Sequence, residues 1–131
     1  MNLLVVIVCY RAAELTINCL RSLSAEICSL PGAKVAVCEN GTGDESAKKL
    51  ADAIQAEGWS DWVFLKVIHP NRGFAGGNNV ILREAMAWPN PPRYFLLLNA
   101  DTIVRPGALR LLLDAIENHV HLLLATGGQN V

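Results

Sequence analysis

Carboxylates, amides and glycines gather at four points of the 131-residue sequence, each directly after an apolar run. Cys9-Tyr10-Arg11 follows the first run and Glu39-Asn40-Gly41-Thr42-Gly43-Asp44 the second. His69-Pro70-Asn71-Arg72-Gly73-Phe74-Ala75-Gly76-Gly77-Asn78-Asn79 follows the third, and Asn99-Ala100-Asp101 the fourth. In the third block, glycines and asparagines stand before a helical pattern, a composition that lets backbone N–H groups and a helix N-terminus approach an anion such as a diphosphate. Asp101 ends an apolar run on what the order of elements makes a central strand, where a carboxylate is costly to desolvate without a partner. A hard divalent cation is a natural partner. Capping of the next helix is the other reading of Asp101, although Pro106 rather than Thr102 opens that helix. Taken singly, Asn, Asp and Gly are also the ordinary residues of turns.

The elements that must position these residues follow a regular order. Residues 3–9, 34–38, 63–68 and 94–98 are apolar or β-branched runs and read as strands, with 122–125 a candidate fifth. Between them 14–27 has helical spacing at Leu15, Cys19, Leu20 and Leu23, 45–57 at Leu50, Ala53 and Ile54, and helices are predicted over 77–88 and from Pro106 to about 118. Parallel strands need helical crossovers, so strands apolar on both faces and alternating with amphipathic helices imply an α/β fold. The expectation is a doubly wound, mainly parallel sheet with helices on both faces, in one domain over 1–131. In such sheets ligands bind outside the carboxyl ends of the strands, which is where all four polar segments fall.

Composition narrows the function classes. A net charge of -1 lacks the basic stripe that neutralises nucleic-acid phosphates. The longest apolar stretch, residues 3–9, is far short of the roughly 20 residues that span a bilayer and makes a poor secretory signal, so the cytoplasm is the expected compartment. Cys9, Cys19, Cys28 and Cys38 form no C-x-x-C pair and read as small buried apolar residues rather than a zinc or redox site. His69 is remote in sequence from His119 and His121, and the latter two point to different faces of a helix end, so no metal site is read from them. Trp59, Trp62 and Trp88 bracket helix and strand ends, where packing is the default and a platform for an acceptor sugar the alternative.

Together, the four segments in this order resemble family 2 glycosyltransferases, closest in flavour to the rhamnosyltransferase-like branch, with the run from Asn71 to Asn79 the strongest single element. The resemblance implies a GT-A fold whose amino-terminal half binds a nucleotide-diphosphate sugar with Mg²⁺ or Mn²⁺, in enzymes that transfer the sugar with inversion to a carbohydrate or lipid-linked acceptor. It implies that Asp101 coordinates the metal, with Asn99 where the family's D-x-D motif often has its first aspartate. Glu39 falls where the family commonly has an aspartate that reads the base, and Asn40 and Asp44 match the stretch the family writes D-N-x-S-x-D. Tyr10 and Arg11 would flank the nucleotide, and Asn71 and the run from Gly73 to Asn79, with Gly73, Gly76, Gly77, Asn78 and Asn79 foremost in it, would border the donor. A cation held by Asp101 would stabilise the negative charge that develops on the leaving diphosphate.

The family's carboxyl-terminal half supplies the acceptor site and the general base, and the sequence is expected to be the amino-terminal portion without them. After Asp101 its acids up to Val131 are Asp114 and Glu117, at helical spacing on a solvated face. Apolar surface left uncovered would favour self-association, in the simplest case a homodimer. A lipid-linked acceptor would bring the chain to the inner face of a membrane. Two other classes are distinguishable: a non-catalytic nucleotide-binding or interaction module, and an NAD(P)-binding domain suggested by Gly41-Thr42-Gly43-Asp44-Glu45-Ser46. The latter pattern ends in serine, follows the second strand instead of the first, and lacks the acid expected after the next strand.

Overall fold

The computed structural model of the chain describes residues 2–41 and 43–118. Within them strands and helices alternate as β1 (Leu3–Cys9), α1 (Ala13–Cys28), β2 (Ala33–Asn40), α2 (Ser46–Ala56), β3 (Val63–Ile68), α3 (Gly73–Met86), β4 (Tyr94–Asn99) and α4 (Ala108–Asn118). The strands form one parallel sheet in the order β3-β2-β1-β4. Val8 pairs with Cys38 on one side and Asn99 on the other, so the carboxyl ends of β1, β2 and β4 lie level.

All seven residues of β1 are buried, as a strand covered on both faces requires. Alternation divides them between two cores. Leu3, Val5, Ile7 and Cys9 pack with the apolar stripes of α1, α2 and α4, whereas Leu4, Val6 and Val8 pack with Ile81 and Ala85 of α3. Fully buried side chains of the size of Leu4, Ile7, Leu20 and Leu23 each contribute roughly 1.5–3 kcal/mol. The doubly wound α/β architecture read from the sequence is therefore present, with three helices on one face and α3 on the other among the described residues.

The structure corrects several details. Among the described residues the strand ending before Asp101 stands at the edge of the sheet: there β4 pairs with β1 alone, and its Leu97 is 38% exposed. Asp101 is itself exposed, so burial does not force a cation on it. Helix α3 begins at Gly73, four residues before the predicted start. The reason is local: Asn71 Oδ1 accepts a 2.6 Å hydrogen bond from Gly73 N–H, and Gly73 takes φ +73 to turn the chain into the helix. Leu15, expected on the buried stripe of α1, is 50% exposed. Cys28 is exposed, whereas Cys9, Cys19 and Cys38 are buried as expected. The tryptophans pack: Trp59 lies 5.7 Å from Trp62, and Trp88 lies 5.6 Å from Phe64, both pairs tilted. The candidate strand at 122–125, His119 and His121 lie outside the described residues.

Candidate functional site

Chain direction sets where a ligand can enter. From β1 the chain runs outward through β2 to β3, then returns to the other side of β1 with β4, which makes the β1/β4 junction the topological switch point of the sheet. A cleft of about 440 Å³ opens there. Tyr10 and Ala12 line it from the end of β1, Asn40 from β2, Asn71, Gly73 and Phe74 from the β3–α3 connection, and Ala100 and Asp101 from the end of β4.

Asn40 builds one wall. Its side chain is 1% exposed, its Oδ1 accepts from Arg72 N–H at 3.0 Å, and its Nδ2 donates to the Gly73 carbonyl at 2.9 Å. One side chain thus clamps the end of β2 to the loop that opens α3. Gly41 lets the two segments meet: with φ +65, a Cβ there would lie 2.6 Å from Asn71 N. Gly77 performs the same service inside α3, where a Cβ would stand 3.0 Å from Val8 Cγ1. Gly76 and Gly77 are therefore helix residues, Gly77 allowing close packing, rather than part of an open anion-binding loop. The first-turn N–H groups of α3 have no intrahelical partner, and the Gly73-Phe74 start of that helix faces the cleft.

Five of the residues singled out from the sequence, Tyr10, Asn40, Asn71, Gly73 and Asp101, line this cleft. Glu39 lies elsewhere. It is 3% exposed and sits opposite Cys9 in the register, one residue before Asn40 and so on the other face of the sheet. Burial raises the Cys9 thiol above its ordinary range, opposed by hydrogen bonds from Thr16 and Ala12, and the charges of Glu39 and Asp44 add to the rise. Asp44 Oδ1 accepts from Ser46 N–H at 2.8 Å at the start of α2. Asn78 and Asn79 lie within α3. Asn78 Nδ2 donates to the Phe74 carbonyl at 3.1 Å, and its buried Oδ1 has no hydrogen-bond partner among the described residues. Asn79 and Asn99 are exposed. Arg11 takes a left-handed backbone, φ +52, and its guanidinium lies 5.4 Å from the Tyr10 ring centre.

Phe74, within the run from Gly73 to Asn79 expected to border the donor, and Leu15, expected in the core instead, line the cleft at 52% and 50% exposure. For Phe74 a signal existed in its being the one large apolar residue in a Gly/Asn-rich block. Glu26 was missed as well. Its carboxylate accepts from Gly107 N–H at 2.9 Å and Leu109 N–H at 3.0 Å at the start of α4.

The chain matches the model of a family described as glycosyl transferase family 2 over residues 4–127. It belongs to that family. Two crystal structures of S. aureus TarS 1-349 share its fold. The one in complex with UDP-GlcNAc superposes with a TM-score of 0.71 at 17% identity, covering 92% of this chain and 32% of TarS. The other gives 0.68 at 20% identity, covering 92% and 33%. The chain thus spans about a third of the TarS chains it resembles. Among curated proteins none matches it significantly. In this family 2 glycosyltransferase chain the parallel sheet and its flanking helices are the GT-A architecture.

No group of three or more His, Cys, Asp or Glu that could hold a metal occurs among the described residues. A single exposed carboxylate in the cleft still suits Mg²⁺ or Mn²⁺. Mg²⁺ characteristically takes one or two carboxylates and completes its shell with waters and substrate phosphates, and Mn²⁺ shares its preference for oxygen ligands. Asp101 meets that requirement only with a phosphate-bearing ligand beside it. No helix among the described residues is long and apolar enough to cross a membrane.

Proposed function

We propose that the cleft at the β1/β4 switch point binds a nucleotide-diphosphate sugar with a divalent cation, as the donor site of an inverting glycosyltransferase. The observation that carries this reading is the convergence of Tyr10, Asn40, Asn71, Gly73 and Asp101, from four separate strand ends, on one cleft. Tyr10 offers a half-exposed ring for the base, with Arg11 beside it. The first turn of α3 beyond Gly73, whose own N–H is taken by Asn71, offers backbone N–H groups to the diphosphate. Asp101 would hold Mg²⁺ or Mn²⁺, which would supply charge stabilisation to the leaving diphosphate.

The TarS chain of like fold is in complex with UDP-GlcNAc, which makes that compound the first donor to test; the motif order favours a rhamnosyl-type donor as the second. Glu39, Asp44, Gly76, Gly77, Asn78, Asn79 and Asn99 do not line the cleft, so on this reading none of them is assigned a direct contact with the donor. Neither Asp114 nor Glu117 lines the cleft, so the base that deprotonates the acceptor hydroxyl is assigned outside α4. The acceptor is a carbohydrate or lipid-linked saccharide of polysaccharide or glycolipid synthesis, handled in the cytoplasm or at the inner face of a membrane. Exposed Leu97, Met86 and Leu111 support self-association of the isolated chain, which gel filtration at rising concentration tests.

Thermal stability with UDP-GlcNAc, dTDP-rhamnose and the free UDP, GDP and dTDP, each with and without Mn²⁺, tests the donor site. Ligand at about a hundred times its dissociation constant adds roughly 2.7 kcal/mol, several degrees in Tm. A Mn²⁺-dependent shift with one nucleotide is expected; no shift with any of them refutes the reading.

A further inference from the structure

We propose that Ser22 and Glu26, two residues of α1 outside the cleft, are positioning residues for Asp101, holding the β4–α4 connection so that the Asp101 carboxylate stands at the mouth of the site. The inference rests on the reading of Asp101 as the cation-holding residue.

The connection runs from Asn99 to Ala108, and its burial alternates. Thr102 and Val104 are 0% and 4% exposed, while Asp101, Ile103 and Arg105 are exposed. Alternate residues are thus anchored inward and Asp101 is turned outward. The anchors are hydrogen bonds from backbone N–H groups of the connection. Thr102 N–H donates to the Asn99 carbonyl at 3.1 Å. Val104 N–H donates to Ser22 Oγ at 2.9 Å, and that hydroxyl gives its own proton to the Cys19 carbonyl at 2.7 Å, which leaves its lone pairs for Val104.

Farther along, Glu26 caps α4 from outside. Both of its oxygens are used, Oε2 by Gly107 N–H and Oε1 by Leu109 N–H, and the residue is 7% exposed. The residues that precede α4, Arg105-Pro106-Gly107, carry no side-chain acceptor, so the helix has no local N-cap of the usual kind. Arg110 Nη2 adds a contact of 3.3 Å to the Ser29 carbonyl. Positions 22, 26 and 29 follow helical spacing. One stripe along α1 and its C-terminal end therefore docks the whole segment between β4 and α4. Burial pushes the Cys19 thiol of α1 up to about 12, and the negative charge of Asp101 adds to that rise.

Titration calorimetry of the tightest-binding nucleotide among UDP, GDP and dTDP, in Mn²⁺ and in EDTA, tests this on the full chain. Asp101→Asn is the control. If the parent shows no Mn²⁺-dependent binding, or Asp101→Asn keeps it, the reading of Asp101 itself fails and this inference falls with it. Given that control, Ser22→Ala is expected to lower the Mn²⁺-dependent affinity roughly tenfold, as loss of an outer-shell support does, with affinity in EDTA held within about twofold. Ser22→Thr, which keeps the hydroxyl acceptor, restores it, and Glu26→Gln behaves as Ser22→Ala. If Ser22→Ala retains the full Mn²⁺ effect, or weakens binding equally with and without Mn²⁺, the positioning role is overturned. Ser22→Ala removes one hydrogen bond to the connection and one within α1, a smaller change than loss of the buried Glu26 carboxylate, so it keeps the test decisive even if Glu26→Gln does not fold.

Discussion

Replacing Asn40 by alanine should loosen the cleft wall and destabilise the fold by an amount the structure lets us work out. The variant loses the acceptor for Arg72 N–H and the donor to the Gly73 carbonyl, bonds of 3.0 and 2.9 Å. Each is worth about 1 kcal/mol net, and the 99% burial of Asn40 adds a packing loss, so the expected cost is about 2–3 kcal/mol. With a urea m-value of about 2 kcal/mol/M the unfolding midpoint falls by roughly 1–1.5 M. Asn71→Ala removes one exposed turn bond to Gly73 N–H and should cost about 0.5–1 kcal/mol. Urea titrations followed by tryptophan fluorescence measure both. A cost below about 0.5 kcal/mol for Asn40→Ala, or a larger cost for Asn71→Ala, would refute the account of Asn40 as the clamp between β2 and the β3–α3 loop.

Three further outcomes are expected. Arg11 has φ +52, so Arg11→Gly should be about 1 kcal/mol more stable than Arg11→Ala, although both lose the same side-chain contacts; equal stabilities in thermal melts would show that the backbone there is unstrained. Gly77→Ala pushes a Cβ to 3.0 Å from Val8 Cγ1 and should cost about 1–2 kcal/mol despite alanine's better helix propensity, with Val8→Ala reducing the penalty in the double variant; additive costs in denaturation would contradict the contact. Burial pushes the Cys19 thiol up to about 12 and the Cys38 thiol up to about 11. Thiols of the unfolded chain ionise near pH 8.5, so above that pH the folded state retains protons the unfolded state releases, and stability falls as pH climbs toward 11 and 12. A urea midpoint that stays flat or rises between about pH 8 and 10.5 would contradict this.

Local pattern was enough for the order of elements and for the edge that carries the site. The runs at 3–9 and 63–68 and the helical spacing of Leu50, Ala53 and Ile54 sit in the elements they predicted, because side-chain period reports which face is buried. The polar segments sit together at the strand ends because the four described strands are parallel, which the alternation of strand and helix already required. The start of α3 was not legible: glycines at 73, 76 and 77 argue against a helix by propensity, and only the bonds from Asn40 and Asn71 show that the turn forms earlier. Nor did the sequence show that β4 lies at an edge of the described sheet, since strand order depends on crossovers. Leu15 and Glu26 illustrate the same limit. Leu15 has the spacing of a core residue yet borders the cleft, and Glu26 falls on the stripe of Cys19, Leu23 and Leu30 with a carboxylate whose partners are 81 and 83 residues away.

The central claim is that Asp101 and the cleft around it hold a nucleotide diphosphate through a cation. Calorimetric titration of the parent chain and of Asp101→Asn with UDP-GlcNAc, dTDP-rhamnose and the free nucleotides, in Mn²⁺ and in EDTA, measures it most directly. The account predicts saturable binding of one nucleotide that is strengthened by Mn²⁺ in the parent and not in Asp101→Asn. Equal Mn²⁺ dependence in the two proteins would contradict it.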